Sequence, residues 1–417
     1  MQNPLATSII SPDQSESQDA TLWDEVKRIF ANFEQTAFAK ELRAVFSNLH
    51  DGELLEALEK TRWTGRPGYP IRVMWHTLIA SYVLNISTIE GLRRKFNENP
   101  FLAVCCGIHS ESEIPSRFAY YRFIKKLLNH SELIEQCLTN CANSFKEKLP
   151  EFGESVAVDS TDIHTYSNPS SKKRGKADPD ASWAVKKDKH GKDKWWFGYK
   201  AHVICDTKYE IPISVEVTTA SVHDSTRIIP LLKGTQNTLE PKYVMADAGY
   251  DAMENYRTIV EDLKAIPIIK MNLRGRPKRF QDLADEYGTP YCAYNIPMVF
   301  WGYDRKQKVL KYRCPLACGK KGCTWLDKCS QSQYGHVVKI KPKDDYRRFC
   351  QVPRHTKHWA VLYNRRGAIE RAFSRLKEFR KLDNLRIRGL DKISLHCVLA
   401  LLVMQAQLYN RFGSKYR

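Results

Sequence analysis

Ser155-Val-Ala-Val-Asp-Ser-Thr161 is the stretch at which the chain changes period. Before it, apolar residues recur at spacings of three and four, the signature of one helix face, as in Leu22, Val26, Ile29, Phe30 and Phe33. From Ser155 onward they come in short runs and alternations, which read as strands. Residues 156–159 form the first predicted strand, followed by 198–205, 211–217, 242–246 and 266–271, with helix-length segments at 225–233 and 252–263 on either side of the fourth. Strands in succession followed by alternating helix and strand predict a mixed α/β sheet.

Toward the N-terminus, residues 22–58 read as helices, and Gly65-Arg-Pro-Gly68 breaks the chain. Residues 71–84 are apolar almost all round, the pattern of a buried helix. Ser87-Thr-Ile-Glu90 has the form of a capping box opening a helix with Arg93, Arg94 and Lys95, and a third, basic helix spans 116–128. Helix, turn and capped basic helix is the layout of a DNA-reading helix-turn-helix, and equally of any small helical bundle. Toward the C-terminus, the segment 172–200 holds ten Lys/Arg against four Asp, which predicts either a mobile loop lying along a phosphate backbone or a solvated linker. Residues 272–350, with 17 Lys/Arg against seven Asp/Glu, read as an insertion into the α/β pattern. Helices at 359–380 and 392–409 close the chain. The expected division is 1–150 as a helical domain for DNA binding or dimerisation, 151–271 as the first part of the core, 272–350 as a cysteine-containing basic insertion, and 351–417 as the return of the core.

A chain of 417 residues is long enough for two or three domains with a sizeable core. Lys and Arg number 66 against 47 acids, a formal charge of +19, which favours a polyanionic partner. Residues 1–20 carry no Lys or Arg, so no secretory signal is expected there. The apolar run 397–404 is far shorter than the roughly 20 residues of a spanning helix. The expectation is a cytoplasmic, nucleoid-associated protein with reduced thiols and no membrane.

Asp159 lies in a strand, where Asp is depleted, and Asp247 ends the fourth strand, at the carboxyl end where α/β sheets place ligands. Tyr363, Arg366, Glu370 and Lys377 follow at offsets of 0, 3, 7 and 14, which on one helix fall within an arc of roughly 60°. Gly367 and Ser374 beside them are small, and Val361, Ala368, Ile369, Ala372, Leu376 and Phe379 form the opposite, apolar face. Taken singly, each Asp reads first as a helix cap or a turn former. The stripe alone reads as a solvated face with an Arg366–Glu370 pair contributing a few tenths of a kcal/mol. Taken together, the carboxylates select a hard divalent cation, Mg²⁺ or Mn²⁺, of the kind that brackets a phosphodiester for in-line attack.

With Tyr363-x2-Arg366-x3-Glu370-x6-Lys377 in place, the chain resembles the DDE transposases of bacterial insertion sequences, in the branch carrying a Tyr-Arg-Glu-Lys signature. Val158-Asp-Ser-Thr161, Gly198-Tyr-Lys-Ala-His202, Val222-His-Asp224, Ala246-Asp-Ala-Gly-Tyr250 and Gly65-Arg-Pro-Gly-Tyr-Pro70 support the resemblance, which runs over roughly residues 60 to 410. It implies an RNase H-like mixed-sheet core interrupted by an insertion and preceded by an α-helical domain. It also implies Mg²⁺ or Mn²⁺, and cleavage and strand transfer between terminal inverted repeats and target DNA by a homodimer on double-stranded DNA. Asp159, Asp247 and Glu370 are then the metal-binding catalytic acids, and Tyr363, Arg366 and Lys377 the contacts to DNA. Asp224 and Asp251 are rivals for the second acid, the former read as an N-cap and the latter as lying beyond the strand. No catalytic role is expected of His164, His202 or His223. Trp301 or Trp325 is the aromatic residue on which a flipped base would stack.

Two other classes stay open: a domesticated DNA-binding descendant that no longer cuts, against which the intact acids speak, and a general RNase H-like nuclease. Cys314-x3-Cys318-x4-Cys323-x5-Cys329, with Gly319 and Gly322 between, reads either as the ligand set of a structural Zn²⁺ or as reduced, partly buried thiols.

Overall fold

The computed structural model describes residues 36–61, 68–169, 177–187, 190–273, 285–319, 329–383 and 385–415, with Trp23, Glu25, Val26, Ile29, Phe30 and Leu283. Its first part is helical: α1 (Ala37–Ser47), α2 (Gly52–Lys60), α3 (Ile71–Val83), α4 (Ile89–Glu98), α5 (Pro100–Cys105), α6 (Arg117–Leu128) and α7 (Ser131–Lys148). As its all-round apolar pattern predicts, α3 is buried, and the fully enclosed Trp75 satisfies its indole N–H on Asp51 Oδ2 at 2.6 Å. Helix α4 starts one residue later than a capping box at Ser87 would place it. Thr88 Oγ1 accepts from the Gly91 amide at 3.0 Å, and a side chain at residue 91 would meet that same oxygen at 2.9 Å. Ser116 caps α6 in the same way, on the Ala119 amide.

The sheet begins with β1 (Ser155–His164), β2 (Ser182–Lys187), β3 (Asp193–Asp206) and β4 (Pro212–Thr219). After α8 (Ile228–Gly234) come β5 (Tyr243–Ala246), then α9 (Met253–Arg257) running into a π-helical turn (Thr258–Asp262), then β6 (Ile266–Ile269). The order is β2-β3-β1-β5-β6, with β4 beside β2 on the same edge of the long β3. Strand β1 runs antiparallel to β3 and parallel to β5, and β5 runs parallel to β6, so the sheet is mixed as expected. One prediction fails. The basic segment 172–200 holds a β-hairpin, with Trp183 facing Phe197 and Val185 facing Trp195, and Lys186 paired with Asp162 of β1. Its aromatic alternation had been hidden by the surrounding Lys and Asp.

A separate antiparallel sheet follows, of β7 (Val299–Asp304), β8 (Val309–Arg313) and β9 (Val337–Ile340), around its own small core of Met298, Leu310 and Tyr312. The chain closes with α10 (Lys357–Asn364), α11 (Gly367–Arg380) and α12 (Leu390–Lys415). The expected single helix over 359–380 is thus two. Across Arg365 and Arg366 the backbone bonds run from residue i to i−3, as in Arg366 to Tyr363 and Ile369 to Arg366, which tightens the chain into a turn. Val361, before that turn, is consequently 59% exposed; of the residues assigned to the same apolar face within α11, Ala368, Ile369, Ala372 and Leu376 are buried but Phe379, near its end, is 50% exposed.

One apolar core joins the N-terminal helices, one face of the main sheet, α11 and α12; a second lies on the other face. Helix α12 contains 23 residues, Leu390–Phe412, long and apolar enough to cross a membrane, but they pack mostly inside the fold, against β4, α7 and α1.

Candidate active site

Register places the first two acids together. Ala157 of β1 stands opposite Met245 of β5, and Asp159 and Asp247 each lie two residues further along parallel strands. At two residues per repeat both carboxylates share the face of Ala157 and Met245, on neighbouring strands roughly 4.8 Å apart; Asp247 follows the end of β5, whereas β1 continues past Asp159 to His164, so the first acid is interior to its strand. That face is the one covered by α11, which packs on β1 and β3.

Asp247 ends its strand and caps the following turn, its Oδ1 accepting from the Gly249 amide at 2.7 Å. A Cβ on residue 249 would sit 2.9 Å from that oxygen, so glycine allows the approach. Asp159 Oδ1 accepts from the Ser160 amide at 2.8 Å, and Oδ2 accepts from Arg366 Nη1 at 2.7 Å. Burial first, and then the charge of Asp247, push the Asp159 carboxyl up to about 7; the Ser160 amide and Arg366 act in the opposite direction. Glu370, in the first turn of α11 and 59% exposed at its side chain, receives Arg366 Nη2 at 2.5 Å. One guanidinium therefore spans two of the three expected acids, the second of which it meets four residues along the helix.

Tyr363 lies beside this group, stacked on Trp359 with ring centroids 4.7 Å apart and flanked by Arg366. Burial raises its phenol, and Asp247 and Asp159 add to the rise. Lys377 is not in the cluster. It pairs with Asp383 at 3.1 Å and contributes to a positive field around Lys186 and His164. It lies on the same helix as Glu370 but seven residues, about two turns, further along.

The rivals separate. Asp251 is buried and fully engaged, accepting from Tyr256 Oη, the Asn272 amide and Arg347, so it anchors the segment that follows the inserted sheet to the core. Asp224 is not the cap it was read as. His223 caps that turn, and the Asp224 carboxylate instead accepts from Lys200 Nζ at 2.9 Å and raises Asp159 through space. Asp224 is thus a site residue that its sequence position disguised as a helix opener. Tyr250 is a second one. Its buried hydroxyl makes no hydrogen bond among the described residues, and Asp159, Asp224 and Asp247 add to the rise that burial gives it. His202 is buried and pushed down to about 4, hence neutral near pH 7 beside Asp224. His164 packs on Trp196, and His223 bonds Ser225.

Among the described residues, no three His, Cys, Asp or Glu side chains converge closely enough to hold a metal. At the acids this reflects Arg366, which stands between Asp159 and Glu370. The donor set nevertheless suits a hard divalent cation: carboxylate oxygens only, with Asp159 raised by its burial and by the neighbouring charge of Asp247. The zinc expectation gains no support. Cys314 is buried with Gly335 packed against its sulfur, Cys318 and Cys329 are half-buried, and Cys323, like Trp325, lies outside the described residues. Trp301 stacks under the Arg313 guanidinium at 4.0 Å in the inserted sheet.

Residues 150–405, more than half of the chain, match the family described as Transposase DDE domain, and residues 27–126 match Transposase domain (DUF772). The chain belongs to the DDE transposase family. Members of this family generally use divalent metal ions. Among solved structures, a piggyBac transposase synaptic complex with hairpin DNA aligns with 97% of this chain and 77% of that one, at 10% identity and a TM-score of 0.44, a likeness too distant to assign residues in this transposase.

Proposed function

We propose that this transposase binds the terminal inverted repeats of its own element and cuts and joins DNA strands there, with Asp159, Asp247 and Glu370 as its catalytic acids. The observation that carries the reading is the register of Asp159 and Asp247 on adjacent parallel strands, with Glu370 linked to Asp159 through a single guanidinium. In this reading the mixed sheet is an RNase H-like core divided by the insertion 272–350, the helices before residue 150 serve DNA binding and dimerisation, and the family branch is the one with the Tyr-Arg-Glu-Lys signature. The protein acts as a homodimer on double-stranded DNA.

The three carboxylates would hold Mg²⁺ or Mn²⁺, which when bound supplies Lewis-acid activation of the attacking hydroxyl and of the leaving oxygen. The chain itself supplies position. Arg366 and Tyr363 border the acids and can bind phosphate oxygens, the arginine bidentately. Lys377, further along α11, meets the backbone beyond. The apolar packing of α11 on the sheet keeps Glu370 at a fixed height over the two aspartates.

The test incubates the purified transposase with a duplex ending in the inverted repeat that flanks its gene, with Mg²⁺ or Mn²⁺, and follows strand cleavage. Cleavage confined to the repeat end is expected, with Glu370→Gln, Asp159→Asn and Asp247→Asn each reducing it by at least about 100-fold while binding persists. Equal cleavage by Glu370→Gln sinks the assignment, and cleavage indifferent to the terminal sequence points to a general nuclease.

A further inference from the structure

Arg366 is incompletely satisfied where it stands. Its two terminal nitrogens serve Asp159 and Glu370, but its buried Nε has no hydrogen-bond partner among the described residues. A buried donor left without an acceptor is destabilising, so the position is held chiefly by the charge of the two carboxylates. The surroundings explain that charge. Asp159 feels Asp247 and Asp224 as neighbouring anions, and Arg366 is the cation that offsets them. The residue also sits in the turn between α10 and α11 rather than inside a helix, where a change of rotamer does not disturb a packed face.

We infer that Arg366 is the resident counter-ion of the acid cluster, bridging Asp159 and Glu370 before a divalent cation arrives and competing with that cation for the same carboxylate oxygens. The inference rests on the reading of Asp159, Asp247 and Glu370 as the metal-holding acids. A guanidinium and a dication cannot both occupy the space between two carboxylates, because they repel and need the same lone pairs. Displaced, the planar fork keeps its two donors for the oxygens of a phosphate, whereas a lysine there would offer only a point charge. Arg366 is thus a positioning residue twice over. It first keeps Asp159 and Glu370 facing each other and then moves to phosphate.

The test titrates Mn²⁺ alone into the full chain at pH 8 without DNA, by calorimetry, and records melting in EDTA and in Mn²⁺. A purely structural strut, once removed, should weaken metal binding; a competitor, once removed, should strengthen it. Arg366→Gln is expected to bind Mn²⁺ about tenfold tighter than wild type while melting lower in EDTA, and to regain more of its melting temperature on adding Mn²⁺. Should Arg366→Gln not fold, Arg366→Lys carries the comparison, with a several-fold gain expected because one ammonium cannot span both carboxylates. Affinity equal to or below wild type in the folded variant overturns the inference. If in the same series Asp159→Asn and Asp247→Asn lose Mn²⁺ binding, only the competition fails. If they bind as wild type does, the reading of the acids fails with it.

Discussion

The raised carboxyl of Asp159 has a thermodynamic consequence. Its folded carboxyl is raised from 3.8 to about 7, so the folded state binds a proton that the unfolded state has already released between those values. The stability this contributes is fully present below pH 4 and is lost as pH rises through 7, in total at most about 4 kcal/mol. In EDTA the melting temperature of wild type should therefore fall between pH 4 and 7 by more than that of Asp159→Asn, and Mn²⁺ should flatten the difference. A pH profile identical for the two proteins excludes the raised carboxyl. Asp159 and Asp247 were legible in the sequence because aspartate is rare in strand interiors and informative at strand ends. Arg366 was legible as a basic residue near Glu370, but its grip on Asp159 joins positions 207 apart and is a product of the tertiary fold. Asp224 was misread because a polar residue before a helical run has the same sequence signature whether or not its own side chain makes the cap.

At the scale of elements, periodicity served where a segment is long and its environment uniform. Helix α3 and strand β5 came out close to their observed bounds, whereas β1 runs to His164, well past the predicted end at Asp159. The β2–β3 hairpin was missed because its Trp and Val residues, of which Trp183, Val185 and Trp195 are exposed, are interrupted by Lys and Asp, and the break before α11 because Asn364-Arg-Arg-Gly367 contains no proline to announce it. The attachment of the inserted sheet to the core was likewise unreadable, as it depends on Arg347 donating to the fully enclosed Asp251 from the far end of the insertion. That link sets an order of damage. Arg347→Ala leaves a buried carboxylate without its counter-charge and should cost about 3–5 kcal/mol in chemical denaturation. Asp251→Asn should cost less, because the neutral amide can still accept from the Asn272 amide while Arg347, 14% exposed, retains the Asn272 carbonyl and reaches water. A larger loss for Asp251→Asn than for Arg347→Ala would show that the insertion is held by other contacts.

Across the whole molecule, a charge of +19 says only that polyanions are favoured, whereas the fold says where the charge collects. A cleft of about 940 Å³ opens between the N-terminal helices and the segment joining α11 to α12, with Arg117, Lys125, Arg386, Arg388 and Lys392 in its lining and Glu90 as its one carboxylate among the described residues. Asn85 ties its wall to the Glu378 carbonyl of α11, so the cleft and the acids share one helix. A duplex whose end lies at Asp159 and Glu370 would present phosphates to this cleft while Arg366 and Tyr363 hold the end itself. Each phosphate neutralised releases counterions, which makes the logarithm of affinity fall linearly with the logarithm of salt concentration, by about 0.9 per contact. The double substitution Arg386→Gln with Lys392→Gln should therefore weaken binding to all duplexes alike and reduce the salt slope by roughly two, whereas Glu370→Gln should leave that slope unchanged. Filter binding or fluorescence anisotropy between low and physiological salt measures both slopes. An unchanged slope in the double variant would remove the cleft from the DNA path and leave the charge around α11 to carry it.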